Sequence, residues 1–312
     1  MKSYTVLLIL LTFVLKTFSQ APIKINTSSS SKYGPEKGSL IIIGGGGTTP
    51  EINAKFLELA GGKDKAEIVV ITAAVGDSAA YSQRSVERIK KQLGITRVTL
   101  LHTNSLTEAN SEKFIAPLKT ATGVYFEGGR QWRIADSYLN TLTHQAFFDM
   151  LNRGGVIVGT SAGASIQASF LWRGDTRGPH ILVGDHTQGL GFLKNSAIDQ
   201  HLLKRNREFD LIDFIKRSPK LIGIGLDEST AIVVQKDTLE VIGKSYVAIY
   251  DYKTIIASEQ VRDNSNDNDE NTSASSSPFL FLSQGQKYDL LNRKIINRPR
   301  RPQAAATANY NQ

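Results

Sequence analysis

The chain has 312 residues, 40% hydrophobic and 21% charged. This balance excludes disorder throughout and, with no apolar run of eighteen residues outside the N-terminus, a polytopic membrane protein. Cysteine is absent, which excludes disulfides, thiolate metal sites and cysteine nucleophiles. The net charge of +8 is concentrated at the ends: without Lys2, Lys16, Arg293, Lys294, Arg298, Arg300 and Arg301 the rest carries about +1, so charge does not argue for a nucleic-acid partner.

In chain order, Lys2 precedes an apolar stretch from Val6 to Leu15, with Thr17 and Ser19 just ahead of Gln20, the layout of a signal peptide over residues 1–19. Such a stretch spans about 15 Å as a helix, against about 30 Å for a bilayer core, so a cleaved leader is expected rather than an anchor. The mature protein is expected to be exported, periplasmic or extracellular, with no membrane contact after cleavage. Residues 20–38, with a serine run and Gly34-Pro35, read as a linker, and one folded domain is expected over 39–292.

Within that domain, Leu40 to Ile43, Ile68 to Ile71, Val124 to Phe126, Val156 to Val158 and Leu221 to Ile224 are short apolar runs suited to strands buried on both faces. Helical periodicity fills the intervals at Glu51 to Leu59, Ser82 to Leu93, Trp132 to Leu139, Thr141 to Leu151 and Leu202 to Ile215. This alternation predicts an α/β fold with a largely parallel sheet covered on both faces. Ala231 to Val234, Leu239 to Ile242, Val247 to Tyr250 and Phe279 to Leu282 predict a C-terminal antiparallel extension. Residues 262–278 turn abruptly to Asn, Asp, Ser and Thr and read as a low-complexity loop, and residues 293–312 as a disordered basic tail.

The strongest chemical signal is Gly159-Thr160-Ser161-Ala162-Gly163, a Gly-x-Ser-x-Gly between a buried strand and a helical segment. That context presents a serine hydroxyl at the carboxyl edge of a sheet, beside free amides at the helix start. A serine needs a base and a group to orient it. Of five histidines, His102 and His144 suit packing or surface roles, His180 and His186 are rivals for the base, and His201, followed by Lys204, Arg205 and Arg207, suits the edge of a site. Asp227 and Glu228, just beyond an apolar run, both qualify as the orienting acid. Two glycine turns, Gly44 to Gly47 and Gly128-Gly129, permit close backbone approach; the first lacks the spaced acidic partner of a dinucleotide site. Amides near Gly128 and Gly129, with that of Ala162, are candidates for an oxyanion hole, and Gln131 for a contact to a substrate amide.

Taken together, Gly44 to Gly47, Phe126-Glu127-Gly128-Gly129-Arg130-Gln131, Gly159 to Ala164, Asp199-Gln200-His201 and Gly225 to Ala231 resemble the cyanophycinase branch of the S51 serine peptidases, relatives of aspartyl dipeptidase (peptidase E). The resemblance spans about residues 39 to 292. It implies a three-layer sandwich similar to the class I glutamine amidotransferases and hydrolysis through a serine ester, with no metal or organic cofactor. Carried over, it makes Ser161 the nucleophile, His201 the base and Glu228 the orienting acid, with Gly129 and Ala162 at the oxyanion. Gln131, Asp199, Gln200, Arg205 and Arg207 would line the pocket, an arginine gripping a substrate carboxylate and Asp199 receiving a substrate arginine. The implied partner is a peptide, cyanophycin or a β-aspartyl peptide, and the implied assembly a homodimer. Two positions depart from the pattern: Arg130 stands where Asn or Asp is usual, and Glu208-Phe209-Asp210 where a further arginine is.

Overall fold

A computed structural model describes residues 23–26, 30–76, 83–264 and 277–297. The leader, residues 265–276 of the low-complexity segment and residues 298–312 lie outside the described residues.

The first half alternates strand and helix as the periodicity requires. Strands β1 (Ser39–Ile43), β2 (Ile68–Ile71), β3 (Val98–Leu101), β4 (Gly123–Phe126) and β5 (Val156–Thr160) pair in parallel in the order β1-β5-β4-β2-β3. Leu40, Ile41, Ile42 and Ile43 are fully buried, each side chain contributing roughly 1.5–3 kcal/mol by leaving water. Alternate residues serve opposite faces. Ile41 and Ile43 pack on helices α1 (Pro50–Leu59) and α2 (Arg84–Leu93) through Ile52, Phe56 and Ile89. Leu40 and Ile42 face the side covered by α4 (Glu112–Thr120), which follows the single turn α3 (Leu106–Ala109), and by α5 (Gln131–Tyr138) and α6 (Leu142–Asn152). The Thr49 hydroxyl caps α1 by accepting from the Ile52 amide, and Gly94, at φ 64°, ends α2 in the left-handed conformation.

The second half departs from the expected single sheet. After the one-turn helix α7 (Ala162–Ser165), strands β6 (Ala168–Phe170), β7 (Leu193–Gln200) and β8 (Ile222–Leu226) form a separate parallel ribbon. Strands β9 (Thr230–Gln235) and β10 (Thr238–Gly243) then extend the first sheet antiparallel to β1, whereas β11 (Val247–Tyr250) returns to β8. Helix α9 (Tyr252–Asn264) follows α8 (Ile212–Arg217). Strand β12 (Leu280–Leu282) closes the second sheet on β11, and β13 (Lys287–Asp289) and β14 (Lys294–Asn297) complete the first. Among the described residues the result is a nine-stranded mixed sheet and a five-stranded one. Ile198, Ile222 and Ile224 of the second sheet share a core with Ile232, Val234 and Val241 of the first, while its outer face carries α8 and α9 through Ile215 and Ile255.

Several boundaries differ from expectation, each for a local reason. The run from Leu202 to Ile215 is two short turns rather than one helix, broken at Asn206 in the left-handed region (φ 50°). The expected linker packs at its C-terminal end: Tyr33 is 1% exposed, its amide donates to Asp237 Oδ1, and the Gly34 amide donates to the Lys236 carbonyl. Helix α9 continues into the expected loop, and the expected tail opens as β14, with the Arg293 guanidinium donating to the Tyr33 hydroxyl at 2.8 Å.

Candidate active site

Register sets the site. Ile43 pairs with Thr160, so the glycine turn after β1 and Ser161 after β5 start at one level; Phe126 pairs with Gly159 and Ile71 with Phe126, which brings Gly128 and Ala74 to the same edge. In the second sheet Gln200 pairs with Leu226, so His201 and Asp227-Glu228 emerge together. The turn from β8 to β9 joins the two sheets at that edge, since Ala231 pairs with Ile43.

Ser161 has φ 53° and ψ −112°, a backbone conformation that costs about 1–3 kcal/mol and persists only when its surroundings enforce it. They do. Its amide donates to the Ile43 carbonyl and its carbonyl accepts from Ala164 and Ser165. Side chains are excluded on either flank: a Cβ on Gly159 would lie 2.0 Å from the Gly163 carbonyl oxygen, and one on Gly163 2.3 Å from that of Phe126. The helix that follows is one turn long, so what it offers is local amides rather than an extended dipole.

Ser161 Oγ lies 2.9 Å from His201 Nε2, and His201 Nδ1 lies 2.7 Å from Glu228 Oε1. With the Nδ1 proton donated to Glu228, Nε2 is left as acceptor for the serine hydroxyl. Burial lowers the His201 pKa below its ordinary value; the hydrogen bond to Glu228 works against this, and Arg205 and Arg207 nearby add to it. The neutral imidazole, the form in which Nε2 can accept from the serine, is thereby favoured. Asp227 does something else. Its Oδ1 accepts from the amides of Leu203 and Lys204, capping the turn after His201, and its Oδ2 accepts from Ser245 Oγ.

The four-glycine turn presses on the histidine and the acid. A Cβ on Gly45 would lie 2.3 Å from His201 Cε1, one on Gly46 2.6 Å from Glu228 Cβ, and the Gly44 carbonyl accepts from the His201 amide at 2.8 Å. On the other side of Ser161, a Cβ on Gly128 would be 3.4 Å from the serine Cβ. The amides of Gly129 and Ala162 donate to no acceptor among the described residues, as an oxyanion hole requires.

The remaining pocket residues stand differently from expectation. Asp199 is fully buried and its oxygens are taken: Arg173 donates through Nε and Nη2 at 2.9 Å, Trp172 Nε1 at 3.1 Å and Arg207 Nη1 at 3.3 Å. It therefore has no place for a substrate guanidinium. Gln131 Nε2 is likewise committed, to the Trp172 and Arg173 carbonyls, and braces the loop after β6; of the side-chain amide only Oε1 has no hydrogen-bond partner among the described residues. Gln200 Oε1 accepts from Arg207 Nη1 at 2.6 Å, both residues being nearly buried, and Arg205 is exposed beside His201. Arg173, which also pairs with Asp210, is the residue sequence reading missed; its only signal is the charged stretch Arg173-Gly174-Asp175 after the apolar pair Leu171-Trp172. Among the rival histidines, His186 is held between Asp185 and Asp136 at 2.8 Å each, and His180 is exposed. His144 is buried against the Leu190 carbonyl, and burial lowers its pKa to about 4. Among the described residues no group of three or more His, Asp or Glu side chains is placed to hold a metal ion.

A serine on an enforced strand-to-helix turn, hydrogen-bonded to a histidine that a carboxylate orients, defines an α/β protein with a hydrolase-type site. The profile of peptidase family S51 matches residues 40–242, and the chain belongs to that family of peptidases. It is similar to the cyanophycinase of Synechococcus elongatus, 29% identical over 276 residues that span 86% of this chain and 84% of that one. The cyanophycinase of Geminocystis herdmanii is 30% identical over 222 residues, 69% of this chain and 81% of its own. Among solved structures, a peptidase from an acI-B1 Actinobacterium superposes with a TM-score of 0.59 at 23% identity, covering 82% of this chain and 98% of its own, a likeness of fold.

Proposed function

We propose that the protein is an exported serine exopeptidase that hydrolyses cyanophycin to β-Asp-Arg dipeptides through a serine acyl-enzyme. The observation that carries the mechanism is the continuous relay from Ser161 Oγ through His201 to Glu228 on the strained turn. Ser161 Oγ attacks the peptide carbonyl as His201 Nε2 takes its proton; the amides of Gly129 and Ala162 hold the oxyanion; His201 returns the proton to the leaving amine. Water then repeats the cycle on the ester, and Glu228 stabilises each transient imidazolium. In this reading the parallel half of the sheet is class I glutamine amidotransferase-like, with a serine where those enzymes ordinarily use cysteine. Export rests on the leader-like residues 1–19 and predicts a mature chain beginning at Gln20.

The substrate rests on the cyanophycinase relatives. One observation favours a second reading, an aspartyl dipeptidase: with Asp199 sealed by Arg173 and Arg207 bonded to Asp199 and Gln200, the exposed cation left beside His201 is Arg205, suited to a carboxylate. Incubation with insoluble cyanophycin, with mass spectrometry of the soluble products, decides between them. Release of β-Asp-Arg by the unmutated protein alone, with Ser161→Ala inactive yet unfolding at the same temperature, is the expected result. Cleavage of aspartyl dipeptides without release from the polymer replaces cyanophycin as the substrate; turnover by Ser161→Ala removes the serine mechanism.

A further inference from the structure

The serine and the candidate oxyanion amides come from the first sheet and the histidine from the end of β7 in the second, so the proposed reaction needs the two sheets held in register at this edge. Arg173, in the loop after β6, is bonded to both sides. Its carbonyl accepts at 2.9 Å from Gln131 Nε2, two residues beyond Gly129, and its guanidinium grips Asp199, two residues before His201.

The grip is a bidentate fork, Nε to Oδ1 and Nη2 to Oδ2 at 2.9 Å each, which fixes the plane of the carboxylate. Both side chains are buried, and parting them would leave bare charges out of water, so the geometry is stiff. The rest of the guanidinium is also taken by protein: Nη1 donates to the Pro179 carbonyl at 3.0 Å, and Nη2 pairs with Asp210 as well. The loop is shaped to deliver this side chain, since Arg173 stands at φ 56° and its amide donates to the Leu182 carbonyl.

The oriented carboxylate holds the residue ahead of the histidine. The Gln200 amide donates to Asp199 Oδ1 at 2.9 Å, and the Gln200 carbonyl, which belongs to the peptide bond leading into His201, accepts at 2.9 Å from Arg207 Nη1. The same Arg207 nitrogen donates to Asp199 Oδ1 at 3.3 Å. His201 itself stands at φ 56°, with its carbonyl accepting from the Arg205 amide at 3.0 Å. A left-handed backbone at a residue with a side chain persists only where neighbours enforce it.

We propose that Arg173 is a positioning residue: by orienting Asp199 it fixes the peptide between Gln200 and His201, and with it the approach of the imidazole to Ser161. It touches no reacting atom. The proposal rests on the reading of Ser161 as nucleophile and His201 as base, and gives the buried arginine–aspartate pair a task other than holding substrate.

Arg173→Lys, which keeps the charge and loses the fork, tests it with two readouts. The rate at which a fluorophosphonate labels Ser161 is expected to fall about 10- to 100-fold, since a misplacement of about 1 Å can cost as much as 100-fold. Long-range proton–nitrogen NMR of the His201 ring, assigned by its loss in His201→Ala, is expected to show the Nδ1-protonated tautomer in the unmutated protein and a mixture with the Nε2-protonated form in the variant. Both are read well below the unfolding temperature of the variant, where a loss of stability alone moves neither. Asp210→Asn, at the partly exposed partner of Arg173, keeps the test should Arg173→Lys fail to fold, and is expected to change both readouts in the same direction, the rate by less than about tenfold. An unchanged labelling rate, or a slower one with the tautomer intact, overturns the proposal. A tautomer change in a protein whose Ser161 is never labelled, even unmutated, leaves the positioning of His201 standing and removes the serine mechanism.

Discussion

At the scale of residues, the Ser161, His201 and Glu228 relay depends on which imidazole nitrogen carries the proton. Glu228→Gln preserves shape but offers an amide donor to Nδ1, favouring the tautomer that cannot accept from Ser161. A kcat lower by about 10³–10⁴-fold is expected, with KM little changed; a loss below tenfold would mean that the acid is dispensable. The lowered His201 pKa sets the acid limb of activity. The base must be neutral, so kcat/KM should rise with pH to a plateau, with a midpoint below the ordinary histidine value of 6.5, and a midpoint above it contradicts the assignment. Ser161 was legible because a nucleophile turn has a local signature; for its partners the residues left His180 and His186 as rival bases and Asp227 as an equal acid, and the resemblance chose His201 and Glu228. The roles of Asp199 and Gln131 were not, because their partners, Trp172 and Arg173, come from a distant part of the chain and no periodicity marks a buried ion pair. The cationic neighbours of His201 were visible, but which of them carried a free charge was not.

At the scale of elements, the four-glycine turn shows why close approach matters. Gly45, at φ 114°, leaves room for the His201 ring and for nothing else. Gly45→Ala should shift that ring and lower kcat on the order of 100-fold, with a stability cost of about 1–3 kcal/mol; unaltered turnover would show that the ring position is not held by this turn. The turn was visible in the sequence as a place of close approach, but toward a substrate rather than toward the histidine and its acid. Buried strands with apolar runs were legible for the same reason that they are buried. Strand β7 was not, since Ser196, Asp199 and Gln200 are polar yet inside, their hydrogen bonds replacing the apolar pattern. Strand β3, partly exposed at the sheet edge, also lacked a clear run.

For the whole molecule, the sequence predicts an α/β sheet with an antiparallel extension, and that much is present. What local pattern cannot reveal is partition: β8 reads like β5 and β11 like β10, yet β8 and β11 pair in a second sheet, because pairing is decided by long-range packing across the shared core. On the proposed mechanism that partition matters, since the serine comes from one sheet and the histidine from the other, with the acid on the turn between them. The core also carries a pH dependence of stability. His144, buried neutral, has a folded pKa of about 4 against the ordinary 6.5, so the unfolded chain binds the extra proton and stability falls as pH drops through that window. The shift corresponds to roughly 3 kcal/mol, to be seen in denaturant unfolding at pH 7 and pH 4 as a loss that His144→Gln reduces; equal pH dependence in the two proteins would assign the effect elsewhere.

The central claim is that Ser161, activated by His201, is the nucleophile. Its most direct test is peptide mapping by mass spectrometry after treatment with a serine-reactive fluorophosphonate. A single adduct on Ser161, lost in His201→Ala, is the result the site geometry predicts. No adduct, an adduct on another residue, or labelling of Ser161 that is indifferent to His201 would contradict it.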